Sequence, residues 1–156
     1  MTRSHRRIAG ALLIALTVAL SGCGGDDRKA DNAYVDQVNR IQTKFASAYK
    51  RVASEITSTT STREDEKTIG RLETTIDETV ADLRSVKPPA KVEKLHNDLV
   101  IVLDDYGTKL GGLSDDLLSR DEARAARAIN ELASDTSDAS ADFTRAIDDI
   151  NSTLHN

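Results

Sequence analysis

The sequence predicts an all-α protein, an antiparallel up-down-up-down four-helix bundle behind an N-terminal leader. Three observations predict it. Apolar residues recur at alternating spacings of three and four in four successive blocks. The blocks are separated by short hydroxyl-rich, proline or capping stretches. Finally, the chain has no Trp, two Phe and three Tyr, so its core must come from Leu, Ile, Val and Ala, which suits closely packed helices better than a β-sandwich.

The first block carries Val38, Ile41, Phe45, Ala48 and Val52, extended by Tyr34 and Ile56. It predicts an amphipathic helix of about 25 residues. Thr57 to Thr62 is a run of Thr and Ser, whose hydroxyls compete for backbone hydrogen bonds, so a turn is expected there. Ser61 or Thr62 is placed to cap the next helix, with Glu64, Asp65 and Glu66 in its first turn, where the dipole favours acids.

Ile69, Leu72, Ile76, Val80 and Leu83 form the second stripe, and Lys87-Pro88-Pro89 ends it. Proline disfavours helical geometry in the residue before it and suits the start of a new helix. The third stripe is Val92, Leu95, Leu99, Val102 and Tyr106, widened by Val100 and Leu103. Gly107 and Gly111-Gly112 weaken it, each glycine costing about 1 kcal/mol relative to alanine, so a kink or stop is a possibility there. Leu110, Leu113 and Leu117 keep the spacing and carry the helix to about Leu118. Ser119 and Glu122 have capping-box spacing. The last stripe is Ala126, Ile129, Leu132, Thr136, Ala139, Phe143, Ile147, Ile150 and Leu154. Stripes this regular also suit a coiled-coil oligomer. The short turns favour a bundle within one chain.

The leader is the chemically specific part. Arg3, Arg6 and Arg7 precede 13 uncharged residues, Ile8 to Leu20. That run is shorter than the roughly 20 residues of a membrane-spanning helix and matches the apolar region of a secretory signal peptide. Paired Arg6-Arg7 raises twin-arginine export, but His5 and Ile8-Ala9-Gly10 fit that motif poorly.

Leu20-Ser21-Gly22-Cys23 resembles the lipobox of bacterial lipoprotein precursors at every position. The resemblance implies cleavage before Cys23 and a diacylglyceryl group on its thiol. Residues 1–22 would then be the signal peptide, 23–30 the lipidated cysteine and a tether, and 31–156 the bundle domain. Gly24 to Ala30 has a reach on the order of 25 Å when extended. Two fatty chains hold a protein on a membrane stably where one does not. Cys23 is also the sole cysteine, so no disulfide within the chain is possible.

Charge narrows the partners. Residues 1–22 contain three of the 21 Lys and Arg and none of the 26 Asp and Glu, leaving 18 against 26, a formal −8. Nucleic acid, which wants basic patches, is thereby disfavoured, and so is lying flat on anionic lipid. The membrane enters through the lipid on Cys23. A further partner is expected among envelope proteins or cell-wall components, on the outer face of the cell membrane.

No residue pattern identifies a reaction, a metal or a cofactor. Glu93-Lys94-Leu95-His96 has the Glu-x-x-His spacing of di-metal carboxylate bundles, but the motif occurs once, so His96 stands as a possible ligand or, more simply, a residue that caps or packs beside the turn at the edge of its stripe. Asp104-Asp105, Asp115-Asp116 and Asp148-Asp149 lack the ligand spacing and turn glycine of a calcium loop. Asp135, Asp138 and Asp142 share a face that reads as solvated. The chain is accordingly expected not to be an enzyme. Lys87-Pro88-Pro89 followed by Leu95-His96-Asn97-Asp98-Leu99 and Tyr106 resembles small helical lipoproteins of actinobacteria whose function is unassigned, over about residues 30–118; the resemblance adds no mechanism. Two functions follow as expectations. One is a lipid-anchored binding or interaction module with an apolar patch or groove; the alternative is a small-ligand carrier or sensor with an apolar cavity of roughly 300 Å³ or more between the helices.

Overall fold

The computed structural model describes residues 26–53 and 62–155. They form four α-helices and one short 3-10 turn: α1 (Asp26–Ala53), α2 (Thr62–Ser85), η1 (Ala90–Val92), α3 (Glu93–Leu117) and α4 (Glu122–His155). The described residues contain no strand, and none of their helices is long and apolar enough to cross a membrane. The expected turn at 57–62 lies almost wholly outside the described residues, as do Leu20, Ser21, Gly22 and Cys23.

The stripes meet in one core. Tyr34, Val38, Phe45 and Val52 of α1 are buried with Leu72, Ile76, Val80 and Leu83 of α2. Val92 of η1, Leu99, Val100, Leu103, Tyr106 and Leu110 of α3, and Phe143, Ile147 and Ile150 of α4 complete it. Successive helices pack on one another in chain order, α1 on α2, α2 on α3 and α3 on α4. Positions that rise along α3 meet positions that fall along its neighbours. Asp104 bonds Arg84 and Gly107 meets Ile76 on α2, while Tyr106 bonds Thr136 and Asp116 bonds Arg124 on α4.

Three local expectations change, and the alternative left open at Gly107 to Gly112 is decided. Helix α1 begins at Asp26, so residues 26–30, expected as tether, are helical. Helix α3 runs unbroken past Gly107, Gly111 and Gly112. A Cβ on Gly107 would lie 2.9 Å from Ile76 Cγ2, so this glycine admits α2 to close contact. The N-cap of α4 is Asp121 rather than Ser119. Asp121 Oδ1 accepts the amides of Ala123 at 2.9 Å and Arg124 at 3.1 Å, the groups left without partners at a helix start. Those bonds, Arg124 first, hold the Asp121 carboxyl below its usual range. Lastly, the first turns of α4 are rotated from the expected stripe. Ala128 is buried, whereas Ala126 is exposed and Ile129 is 42 % exposed. Helix α4 is continuous, so its first turns share the phase fixed by buried Phe143, Ile147 and Ile150, and that phase prevails over the larger side chain.

Candidate functional site

Two features of the fold bear on function: the corner between α2 and α3, and the seam between α1 and α4. The corner follows from Lys87-Pro88-Pro89. Pro88 has no amide hydrogen to continue α2, and the last turn tightens, with the Val86 amide donating to Leu83 O at 3.0 Å. Pro89 starts η1, where the Val92 amide donates to Pro89 O at 3.0 Å. Val92, fully buried, pins the turn to the core.

One turn later His96 points inward and is 3 % exposed. The sequence placed it at the edge of the apolar stripe; it lies inside. Its Nε2 is 3.1 Å from Leu83 O and its Nδ1 is 3.2 Å from the Tyr34 hydroxyl. A carbonyl only accepts, so Nε2 carries the proton and donates to Leu83 O. Nδ1 then accepts from Tyr34. The two rings meet edge to face, centroids 5.7 Å apart. Burial lowers the His96 pKa from its ordinary value, offset in part by the bond to Leu83, and burial raises that of Tyr34 to about 12. At neutral pH the imidazole is therefore uncharged with both nitrogens engaged. It ties α1, the C-terminus of α2 and α3 together, and it gives Leu83 O a second donor beside the Val86 amide.

Glu93 lies on the exposed side of the same turn. Among the described residues no group of three or more His, Cys, Asp or Glu is arranged to hold a metal ion. Beside His96, the segment from Arg84 to Pro88 faces Glu93, Asn97 and Val100 across a solvent-open notch of about 350 Å³.

A second tie at this corner was not visible in the sequence. Lys91 Nζ lies 2.8 Å from Asp31 Oδ2 and 3.3 Å from Leu154 O. One ammonium thus joins η1 to the beginning of α1 and the end of α4. Asp31 is itself buried, and a buried carboxylate requires such a partner.

Several of the acidic residues noted in the sequence form ordinary ion pairs near the surface. Asp135 meets Lys109 at 2.7 Å, Asp142 meets Arg145 at 2.7 Å, and Asp116 accepts from Arg124 Nε at 2.6 Å. Exposed pairs of this kind contribute about 0–1 kcal/mol each.

The seam is different in character. Phe45 and Tyr49 of α1 face Ala139 and Phe143 of α4 across a floor of Val102 and Tyr106. The cleft is almost purely apolar, and its free volume is about 30 Å³. Thr136 donates to Leu132 O at 2.7 Å, so its oxygen is left to accept the Tyr106 hydroxyl at 3.0 Å. Burial, assisted by Tyr49, pushes the Tyr106 hydroxyl pKa up; it is a neutral donor at any pH the fold meets.

No protein-family model matches the chain, and no curated protein or solved structure shows significant similarity to it.

Proposed function

We propose that the chain is the precursor of a lipid-anchored protein of the cell envelope, whose helical domain acts as a binding or interaction module. The observation that carries this reading is the order basic segment, 13-residue apolar run, Leu20-Ser21-Gly22-Cys23. The seam between α1 and α4 supports the interaction role. It is a narrow apolar strip where the half-buried Tyr49 ring borders the buried Phe45 and Phe143, a place at which one aromatic or aliphatic anchor of a partner can dock. Of the polar groups near it, Tyr106 and Thr136 bond each other, whereas Gln42 Nε2, one turn before Phe45, is buried without a partner among the described residues; the neutral His96 has both nitrogens engaged within the fold.

A carrier of small apolar ligands is less well supported. It requires roughly 300 Å³ of apolar space, and the seam's 30 Å³ is about room for one water.

The test is recovery from membranes of the full chain carrying a photoreactive residue at Tyr49, beside a Cys23→Ala form. The reading expects a specific cross-linked envelope protein or cell-wall fragment with the lipidated chain, and its loss with Cys23→Ala. Equal recovery from both, or no cross-link beyond that of a photoreactive residue at exposed Asp77, contradicts it.

A further inference from the structure

The fold also determines which way up such a protein would stand; this inference rests on the lipoprotein reading just given. Helix α1 starts at Asp26, so only Gly24 and Gly25 separate its first residue from Cys23. Three peptide units span at most about 11 Å, less than half the reach of the seven-residue tether expected from the sequence. The start of α1 is therefore held close to whatever holds Cys23.

That start is in turn fixed to one end of the bundle. Asp31, just over a turn into α1, bonds Lys91 of η1, and Lys91 bonds Leu154 at the close of α4. The His96 tie joins Tyr34, the next turn of α1, to the same corner. Helix α3 leaves this corner at Glu93 and runs unbroken for 25 residues to Leu117. At 1.5 Å per residue it ends about 37 Å away. The α3–α4 turn, 118–121, is thus at the opposite end from Cys23.

The charge of the near end fits the assignment. Segment 84–94 carries Arg84, Lys87, Lys91 and Lys94 against Glu93, in a mature chain of formal charge −8; Arg84, Lys91 and Lys94 are paired with Asp104, Asp31 and Asp98, so this end is less acidic than the rest without being strongly cationic. Lys87 is exposed, and the Lys94 side chain is 85 % exposed although it reaches Asp98. Asp26 and Asp27 are matched in the chain by Arg28 and Lys29. The acids Asp148 and Asp149 lie further up α4, about 8 Å from Leu154. An end whose acids are matched by cations, with Lys87 exposed, is repelled less by an anionic membrane surface than the acidic remainder of the domain.

We propose that the mature protein stands end-on. Its 87–91 corner rests in the headgroup layer of the membrane that holds its lipid, and the α3–α4 turn points away. The long axis of the seam then runs outward from the membrane, so a partner meets it from the side.

The experiment uses the full lipidated chain in vesicles of phosphatidylcholine and phosphatidylglycerol. Because the lipid occupies the thiol of Cys23, an added cysteine is the sole reactive thiol. Ala90→Cys and Arg120→Cys, both at exposed positions, carry a fluorophore, and a quencher is placed on the lipid headgroups. Quenching several-fold stronger at 90 than at 120 is expected. Equal quenching, or stronger quenching at 120, overturns the stance while leaving the anchor intact. A chain whose Cys23 carries no lipid by mass spectrometry overturns the anchor reading and the stance with it.

Discussion

Tyr106 and Gly107 are neighbours on α3 and face opposite conditions. Gly107 meets α2 so closely that one added methyl would press on Ile76 at 2.9 Å. Tyr106 looks into the α1–α4 seam, where about 30 Å³ stands open between apolar walls. The bundle is closed along α2–α3 and incompletely closed along α1–α4. The closed side answers to stability, because every atom there has a neighbour and any change of volume is felt. The open side has apolar area that the chain does not fully cover itself, which is the condition for covering it with something else.

The largest test of this contrast is Ile76→Ala. Ile76 is fully buried, and truncation at such a site costs about 2–5 kcal/mol. Denaturant unfolding should show that loss; less than about 1 kcal/mol would mean the α2–α3 contact is looser than described.

His96 lies where the closed side reaches the corner, and its replacement ranks next. His96→Gln loses the geometry of two buried hydrogen bonds and should cost about 1–3 kcal/mol at pH 7.5. The pH dependence sharpens this. The folded pKa is lowered, so as pH falls through about 6.5 the unfolded chain takes up a proton before the folded one does. The stability present above pH 6.5 is therefore lost on acidification, with a limiting slope of about 1.4 kcal/mol per pH unit. Wild type should lose stability relative to His96→Gln between pH 7 and 5. A constant difference between the two across that range would place His96 in solvent.

Gly107→Ala sets crowding of about 1–3 kcal/mol against a helix gain of about 1 kcal/mol. A net loss of about 1 kcal/mol is expected. Gly112→Ala, with nothing within 4 Å of its added Cβ, should instead gain up to about 1 kcal/mol. The same sign for both substitutions would remove the contrast between tight and open positions.

The smallest effect on stability is expected at the seam. Ala139→Ser adds a single atom, which the cleft's 30 Å³ holds, and should change unfolding free energy by under about 0.5 kcal/mol, yet by making the strip polar it should weaken cross-linking from position 49. Large destabilisation, or undiminished cross-linking, would break the comparison from its open side.

How much of this was legible in the sequence differs from element to element. The all-α class and the cores of α1, α2 and α3 followed from periodicity, because Val38, Phe45, Ile76 and Leu99 recur at helical spacing whatever the tertiary context. The phase of α4's first turns did not follow, because Ala125-Ala128 and Ala126-Ile129 are equally periodic and the choice between them comes from packing on other helices. Gly107 read as a helix weakener, since the methyl of Ile76 that makes it a contact point belongs to another helix. His96 was singled out by its spacing from Glu93, which the fold does not use, whereas its actual partners, Tyr34 and Leu83, lie 62 and 13 residues away. The tie from Lys91 to Asp31 and Leu154 left no local trace for the same reason. The proposed leader is the reverse case. Its pattern is wholly local, and Leu20 to Cys23 carries more chemical meaning than any comparable stretch of the bundle.

The most direct measurement for the account as a whole is the mass of the chain recovered from the membrane fraction of cells that make it. The prediction is a mature protein beginning at Cys23, heavier than its peptide by a diacylglyceryl group, and absent from that fraction in the Cys23→Ala form. A membrane-fraction chain with an unmodified Cys23, or one retaining residues 1–22, would contradict it.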